Sequence, residues 1–251
     1  MTTTDLPSSP APAAAFDAIR ADRATPRSYF VMGERASGTN YLQWVIRENM
    51  QVRPIALEYW KHGFPTFDMI PEHLLIVVSY RNALSWLLSL YTSPWHASPQ
   101  MQALGFSEFI RCPWETVIDN RFMRRRYQGT PMIGRPLQAD RHPITGRAFE
   151  NVLRMRTAKM QALEGLRNRR CNVVYTRQED VLKDTGACLD ALCRSFGLSR
   201  RQAELSLPTK RLGGWPEGMK REAPKRISDD DLAFIRSQLD LGFEARLGYH
   251  Y

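Results

Sequence analysis

The chain has no apolar run approaching the roughly 20 residues needed to cross a bilayer. Its longest stretches, Leu74 to Val78 and Leu84 to Leu90, are short, and the second contains serine and tryptophan. It also lacks any Cys-x-x-Cys spacing: Cys112, Cys171, Cys188 and Cys193 stand apart, with no His/Cys cluster suited to zinc. Reduced, packed thiols and no metal site are therefore expected. Residues 1–27 lack an apolar core of signal-peptide length and are rich in Thr, Ser, Pro and Ala, which predicts a flexible tail. A soluble, cytoplasmic protein with no membrane partner is the matching expectation. Acidic residues are the scarcer charge, 26 against 35 Lys plus Arg, leaving a net charge of +9. That excess favours an acidic partner in general terms, such as a nucleotide, a sulfated or phosphorylated substrate, a nucleic acid or a membrane surface; charge alone does not choose.

One further absence bears on chemistry. Gly33-Glu34-Arg35-Ala36-Ser37-Gly38-Thr39-Asn40 has the frame of a phosphate loop, but Thr39 stands where a nucleotide triphosphatase carries lysine. Ser28 to Met32 before it reads as a buried strand, and Tyr41 to Arg47 after it as a helix. Backbone N–H groups and the positive end of the helix dipole would then converge on an anion, with Gly33 and Gly38 letting the main chain approach. Without the lysine the usual grip on β- and γ-phosphates is missing, and Asn40 is a poor substitute for the hydroxyl that holds Mg²⁺. ATP and GTP are disfavoured.

The same alternation continues along the chain. Arg53 to Trp60 reads as an extended segment and Leu74 to Ser79 as a stronger strand. Asn82 is placed to cap a helix through Leu84, Leu87, Leu88 and Tyr91 that Ser93-Pro94 should end. Val152 to Leu166 predicts a basic helix, Asn172 to Thr176 a strand, Thr185 to Phe196 a helix, and Ser228 caps a final helix over Leu232 to Leu239. Alternating strands and helices imply an α/β fold with a parallel sheet flanked by helices, formed by a single domain over 28–251. The span 96–150, with prolines at 99, 113, 131, 136 and 143, reads as an irregular insertion that either shapes a pocket or is ordinary surface.

A second feature sits on the next strand: Arg81 follows Ser79-Tyr80, and Ser89 lies eight residues later in the helix that starts there. Together the two segments resemble a family. Arg35 to Leu42 looks like the 5′-phosphosulfate loop of sulfotransferases that use 3′-phosphoadenosine 5′-phosphosulfate (PAPS), and Tyr80-Arg81-Asn82 through Ser89 like their 3′-phosphate segment. Val174 to Leu182 resembles the family's strand and Tyr-Glu-Asp-Leu-like turn, a structural element. Lys210-Arg211-Leu212-Gly213-Gly214-Trp215 is similar, more weakly, to its late basic glycine loop.

The resemblance implies a P-loop type three-layer fold and a sulfotransferase that moves a sulfuryl group from PAPS to a hydroxyl or amine of a small-molecule or glycan acceptor. Adenosine 3′,5′-bisphosphate (PAP) would be the product, and no metal is needed. The implied binding residues are Arg35, Ala36, Ser37, Gly38, Thr39, Asn40, Arg81, Ser89, Arg211 and Gly213. In the family a lysine or arginine precedes Ser-Gly-Thr; here that position is Ala36, so Arg35 or Lys61 must neutralise the leaving group, or the chain binds without transferring.

A base for the acceptor proton is expected among Glu58, Lys61 and His62, at the end of the second extended segment. His62 ranks first because an imidazole titrates near neutrality. His96 is a second candidate, with loop capping the simpler role. Arg121 to Arg126, and Arg154, Arg156 and Lys159, either steer an anionic acceptor or form solvated faces. Trp60, Trp86, Trp95 and Trp114 either stack on a ligand or fill the core. The alternatives are a non-catalytic binder of adenosine 3′,5′-bisphosphate-type nucleotides and a P-loop phosphoryl-transfer enzyme; nucleic-acid binding has no recognisable module behind it.

Overall fold

The computed structural model describes residues 16–21, 24–55, 59–121, 124–213 and 220–251, the side chains of 124 and 125 excepted. Glu58, Gly214 and Trp215 lie outside the described residues. Strands β1 (Phe16–Ile19), β2 (Ser28–Met32), β3 (Arg53–Pro54), β4 (Leu74–Tyr80) and β5 (Asn172–Arg177) form one sheet in the order β1-β5-β4-β2-β3. β2 to β5 are mutually parallel where they pair, and β1 runs antiparallel to β5.

Successive side chains of a strand face opposite sides, and here both faces are buried. Tyr29, Val31, Leu75, Val77 and Val174 pack against helices α1 (Thr39–Asn49) and, from after β5, Thr185–Phe196. Phe30, Met32, Ile76, Val78, Val173 and Tyr175 pack on the other side against Met160 and Leu163 of the helix Val152–Glu164 and Phe243 of Leu241–Arg246. The result is an α/β fold in three layers. Helix α2 (Ala83–Thr92) packs with α4 (Phe106–Arg111), which follows α3 (Pro99–Ala103), and with the helices at 152–164 and 229–238. In chain order the remaining helices are α5 (Arg124–Tyr127), α6 (Val152–Glu164), α7 (Gln178–Lys183), α8 (Thr185–Phe196), α9 (Asp229–Gln238) and α10 (Leu241–Arg246). Among the described residues no helix is long and apolar enough to cross a membrane.

Topology fixes where a site can form. From β2 the chain turns outward through α1 to β3, then returns to the other side of β2 as β4. Between β2 and β4 the winding direction reverses, and in open α/β sheets the crevice at that point, beyond the carboxyl ends of the strands, is where ligands bind.

Several expectations are corrected. The tail of 1–27 does not extend to residue 27: Phe16–Ile19 forms the edge strand β1, tied further by an Asp17–Arg167 ion pair of 2.7 Å. Its four residues gain order only by pairing with the distant β5, which local composition does not reveal. The extended reading of Arg53 to Trp60 shrinks to Arg53–Pro54, with 56–58 outside the described residues. The final helix is not the one capped by Ser228, which does accept from Asp231 N at 3.1 Å; α10 follows it, capped by Asp240. The insertion is organised by α3 to α5 and by isolated bridges such as Trp114↔Phe149 and Val117↔Pro136.

Phe196, fully buried where α8 meets the sheet and α1, anchors one of the two helical layers. Phe196→Ala should lower unfolding free energy by about 3–5 kcal/mol in urea titration.

Candidate functional site

The turn after β2 is built to bring backbone close to backbone. A Cβ on Gly33 would sit 2.5 Å from the Ser79 carbonyl oxygen of β4, so only glycine lets the two strand ends touch. Ser79 Oγ donates to the Ser37 carbonyl at 2.6 Å, and Arg81 Nη1 donates to the Ala36 carbonyl at 2.8 Å. Gly38 then takes φ 84° and opens α1, which no side chain among the described residues caps. The first-turn N–H groups of α1 have no intrahelical acceptor and carry the positive end of the helix dipole. Gly38, Thr39, Asn40 and Tyr41 all line a cavity of about 690 Å³.

Helix α2 offers a contrast. Its N-terminal groups are all used: Asn82 accepts from Leu84 N and Ser85 N at 3.0 and 3.3 Å, Glu179 from Asn82 N at 2.9 Å, and the Tyr251 hydroxyl from Ala83 N at 2.7 Å. Any anion gripped there must be held by side chains. Arg81 and Ser89 line the same cavity as the α1 turn. Burial holds the Arg81 pKa below its ordinary value, and the neighbouring Arg211 adds to this by repulsion, against the pull of Glu179. Two guanidiniums that repel one another across a cavity are suited to an anion between them.

Lys61 completes the cationic wall. Its Nζ donates to Asn40 Oδ1 at 2.5 Å, and burial lowers its pKa to about 8. Its carbonyl accepts from Gly33 N at 3.1 Å, so the segment is pinned to the loop. His62 is pinned as well, with Nδ1 donating to the Gly33 carbonyl at 2.6 Å, which leaves the neutral ring's lone pair on Nε2. Burial holds its pKa well below the ordinary value, and Lys61, Arg35 and Lys159 push it lower still, outweighing that hydrogen bond.

Beneath the turn lies a cluster of four buried charges. Arg35 Nε lies 3.0 Å from Glu34 and Nη1 2.8 Å from Asp140. Lys159 reaches Asp140, Glu34 at 3.2 Å and the His62 carbonyl at 2.7 Å. Thr116 also donates to Asp140, at 2.8 Å. Burial alone would raise the Asp140 pKa, but Arg35 and Lys159 overcome it and hold the carboxyl well below the carboxylate range. Arg35 is therefore clamped, its Nη1 also donating to the Trp95 carbonyl at 3.2 Å, and Nη2 lacks an acceptor among the described residues.

The cavity gathers nearly all residues the sequence singled out: Arg35, Ala36, Gly38, Thr39, Asn40, Lys61, His62, Arg81, Ser89, Arg211 and Gly213. Ser37 is the exception among the loop residues, since its hydroxyl turns inward to the Glu34 carbonyl at 2.6 Å. Gly213 packs so closely on the Asn40 side chain that a Cβ would collide with it. Arg156 and Lys159, read as steering or solvated groups, are buried instead, Arg156 against Glu244 at 2.9 Å. Trp86 and Trp114 are core, whereas Trp60 and Trp95 line the cavity. Sequence reasoning missed Gln178, which lies over Gly38 and keeps a buried Oε1 without a partner among the described residues, and missed Asp140. Gln178 was reachable from its place in the Val174 to Leu182 signature; Asp140 was not. Among the described residues no group of three or more His, Cys, Asp or Glu is placed to hold a metal ion.

The four-charge cluster generates a test. Lys159→Met leaves two buried carboxylates facing one guanidinium and should cost about 3–5 kcal/mol in denaturant titration. Because the folded Asp140 pKa is depressed, its stabilisation is complete above the unfolded value of about 3.9 and is lost as pH falls toward the folded one. The wild type should accordingly show a steeper loss of stability below about pH 4 than an Asp140→Asn, Lys159→Met double variant.

Comparison with known family models, curated proteins and solved structures returned no match to this chain.

Proposed function

We propose that the cavity binds 3′-phosphoadenosine 5′-phosphosulfate and that the protein transfers its sulfuryl group to a hydroxyl or amine acceptor, within a sulfotransferase-like P-loop fold. One observation carries this reading: the uncapped N-terminus of α1 and the Arg81–Ser89 pair open into a single cavity, on adjacent strands at the switch point. Main-chain amides of Gly38, Thr39 and Asn40 would receive the 5′-phosphosulfate, and Arg81, Ser89 and Arg211 the 3′-phosphate. The volume, about 690 Å³, is in the range of small-molecule sites.

Sulfuryl transfer builds negative charge on the departing 5′-phosphate, and a fixed cation there lowers the barrier. Lys61, at the mouth of the α1 turn, fits that role better than Arg35, whose charge is already matched by Glu34 and Asp140. The missing basic side chain at Ala36 is thus replaced from the neighbouring segment. A cavity-lining histidine, His62 or His96, would take the acceptor proton. The absent phosphate-loop lysine speaks against phosphoryl transfer from ATP.

A second reading, binding of the bisphosphate without transfer, rests on Ala36 together with the clamped Arg35. Sulfate turnover separates the two.

Calorimetric titration should give at least about tenfold tighter binding of adenosine 3′,5′-bisphosphate than of ATP, or about 1.4 kcal/mol, and Arg81→Ala should abolish that preference. Equal affinity for the two nucleotides would contradict the reading. Lys61 is protonated below its pKa of about 8, so bisphosphate affinity should fall as pH rises through that value, with an anion-induced upward shift of the midpoint. Lys61→Met should flatten that dependence while weakening binding at neutral pH.

A further inference from the structure

We propose that His96, oriented by Asp119, is the group that removes the acceptor proton. The inference rests on the sulfuryl-transfer reading and assigns the base within it.

Backbone geometry supplies the first argument. Among the described residues only Ala36, His96 and Arg170 combine a side chain beyond glycine with a left-handed backbone, and His96 has φ 64°. Ala36 and His96 both line the cavity. Such a conformation costs a non-glycine residue about 1–2 kcal/mol, and it persists where surrounding structure demands that a side chain be aimed. Here the main chain is fixed by Val117 N donating to the His96 carbonyl at 2.8 Å and by the Ala97↔Thr116 bridge.

Hydrogen bonding supplies the second. Asp119 Oδ1 lies 2.9 Å from His96 Nδ1. A carboxylate only accepts, so Nδ1 carries the hydrogen and the neutral ring keeps its lone pair on Nε2, the state a proton acceptor needs. Asp119 is itself held by Arg121 N at 2.8 Å. The ring contacts Trp60 and Trp95, at centroid distances of 5.6 and 6.3 Å.

Electrostatics distinguishes the two histidines. A base becomes a cation in the step, and His62 would do so beside Lys61, whose Nζ meets the neutral amide of Asn40. His96 would do so against the Asp119 carboxylate. Arg121 Nη1 is 4.0 Å from Asp119 Oδ2, and Trp60, the ring beside His96, also contacts Arg35 and Lys159. The last two are matched by Glu34 and Asp140. His62, tied to Gly33 and Lys159, instead holds the loop in place.

The step balances. The acceptor oxygen forms a new S–O bond while the bridging S–O bond of the sulfate donor breaks. Its electron pair passes to the 5′-phosphate of the departing bisphosphate. The hydroxyl proton moves to His96 Nε2 and then to solvent.

Two phenols test it: 2-naphthol, which must lose a proton on transfer, and 4-nitrophenol, already ionised at the assay pH. With PAPS as donor, His96→Gln should depress transfer to 2-naphthol at least about 100-fold more than transfer to 4-nitrophenolate, the scale of general-base catalysis. His62→Gln should depress both by a common factor. Equal losses in His96→Gln, or the acceptor-dependent loss appearing in His62→Gln, would overturn the assignment. Imidazole ¹⁵N spectra of the wild type should show His96 as the Nδ1–H tautomer; an Nε2–H tautomer would overturn it without reference to any acceptor. Bisphosphate binding is measured in the same samples. Binding with transfer to neither phenol would overturn both the transfer reading and this one while leaving the nucleotide site intact, and absent binding would remove the site itself.

Discussion

Two buried carboxylates and two buried cations sit beneath the turn that follows β2. Glu34 and Asp140 neutralise Arg35 and Lys159. Charges removed from water are tolerated only when paired and hydrogen-bonded, and the pairing here joins segments far apart in sequence. Through it the β2 turn, the insertion that carries Asp140, helix α6 that carries Lys159, and the His62 carbonyl become one rigid block. The turn can then leave α1 uncapped, its amides directed into a cavity rather than satisfied by a neighbouring side chain.

The opposite treatment of α2 sharpens this. Asn82, Glu179 and Tyr251 occupy its N-terminal amides, and Tyr251 donates in turn to Glu244, which binds the buried Arg156. Arg156 also donates to the Arg81 carbonyl at 2.9 Å. The closed helix end holds the Arg81 backbone in place, so its guanidinium can reach the Ala36 carbonyl and the cavity. One strand end therefore presents main-chain donors and its neighbour presents a side-chain cation, an arrangement suited to a ligand with two separated anionic groups.

How far the sequence foretells this depends on the range of the interactions. The strand β2, the turn from Gly33 to Asn40, β4 with the Asn82 cap, and β5 are legible because apolar runs, glycines and caps act over a few residues. The placement of Lys61 beside Asn40 does not follow from strand order, because β3 ends at Pro54 and the Lys61 segment is held to the loop by its own carbonyl on Gly33 N. Asp140 was not legible: it lies in a 3-10 turn of a proline-rich insertion, and its partners are 105 and 19 residues away, Arg35 and Lys159. Lys159 and Arg156 read as part of a basic surface because a charge pattern does not announce a distant carboxylate. β1 was hidden for the same reason, its order coming from β5. The left-handed His96 and its Asp119 partner join positions 23 residues apart, across a segment without periodicity.

A crystal structure with adenosine 3′,5′-bisphosphate tests the central claim most directly. The account predicts the 5′-phosphate within hydrogen-bond distance of the Gly38, Thr39 and Asn40 amides and of Lys61 Nζ, and the 3′-phosphate on Arg81 and Ser89. A nucleotide bound instead at the amino ends of β2 and β3, among Arg27, Arg53 and Arg201, with the α1 turn unengaged, would contradict it.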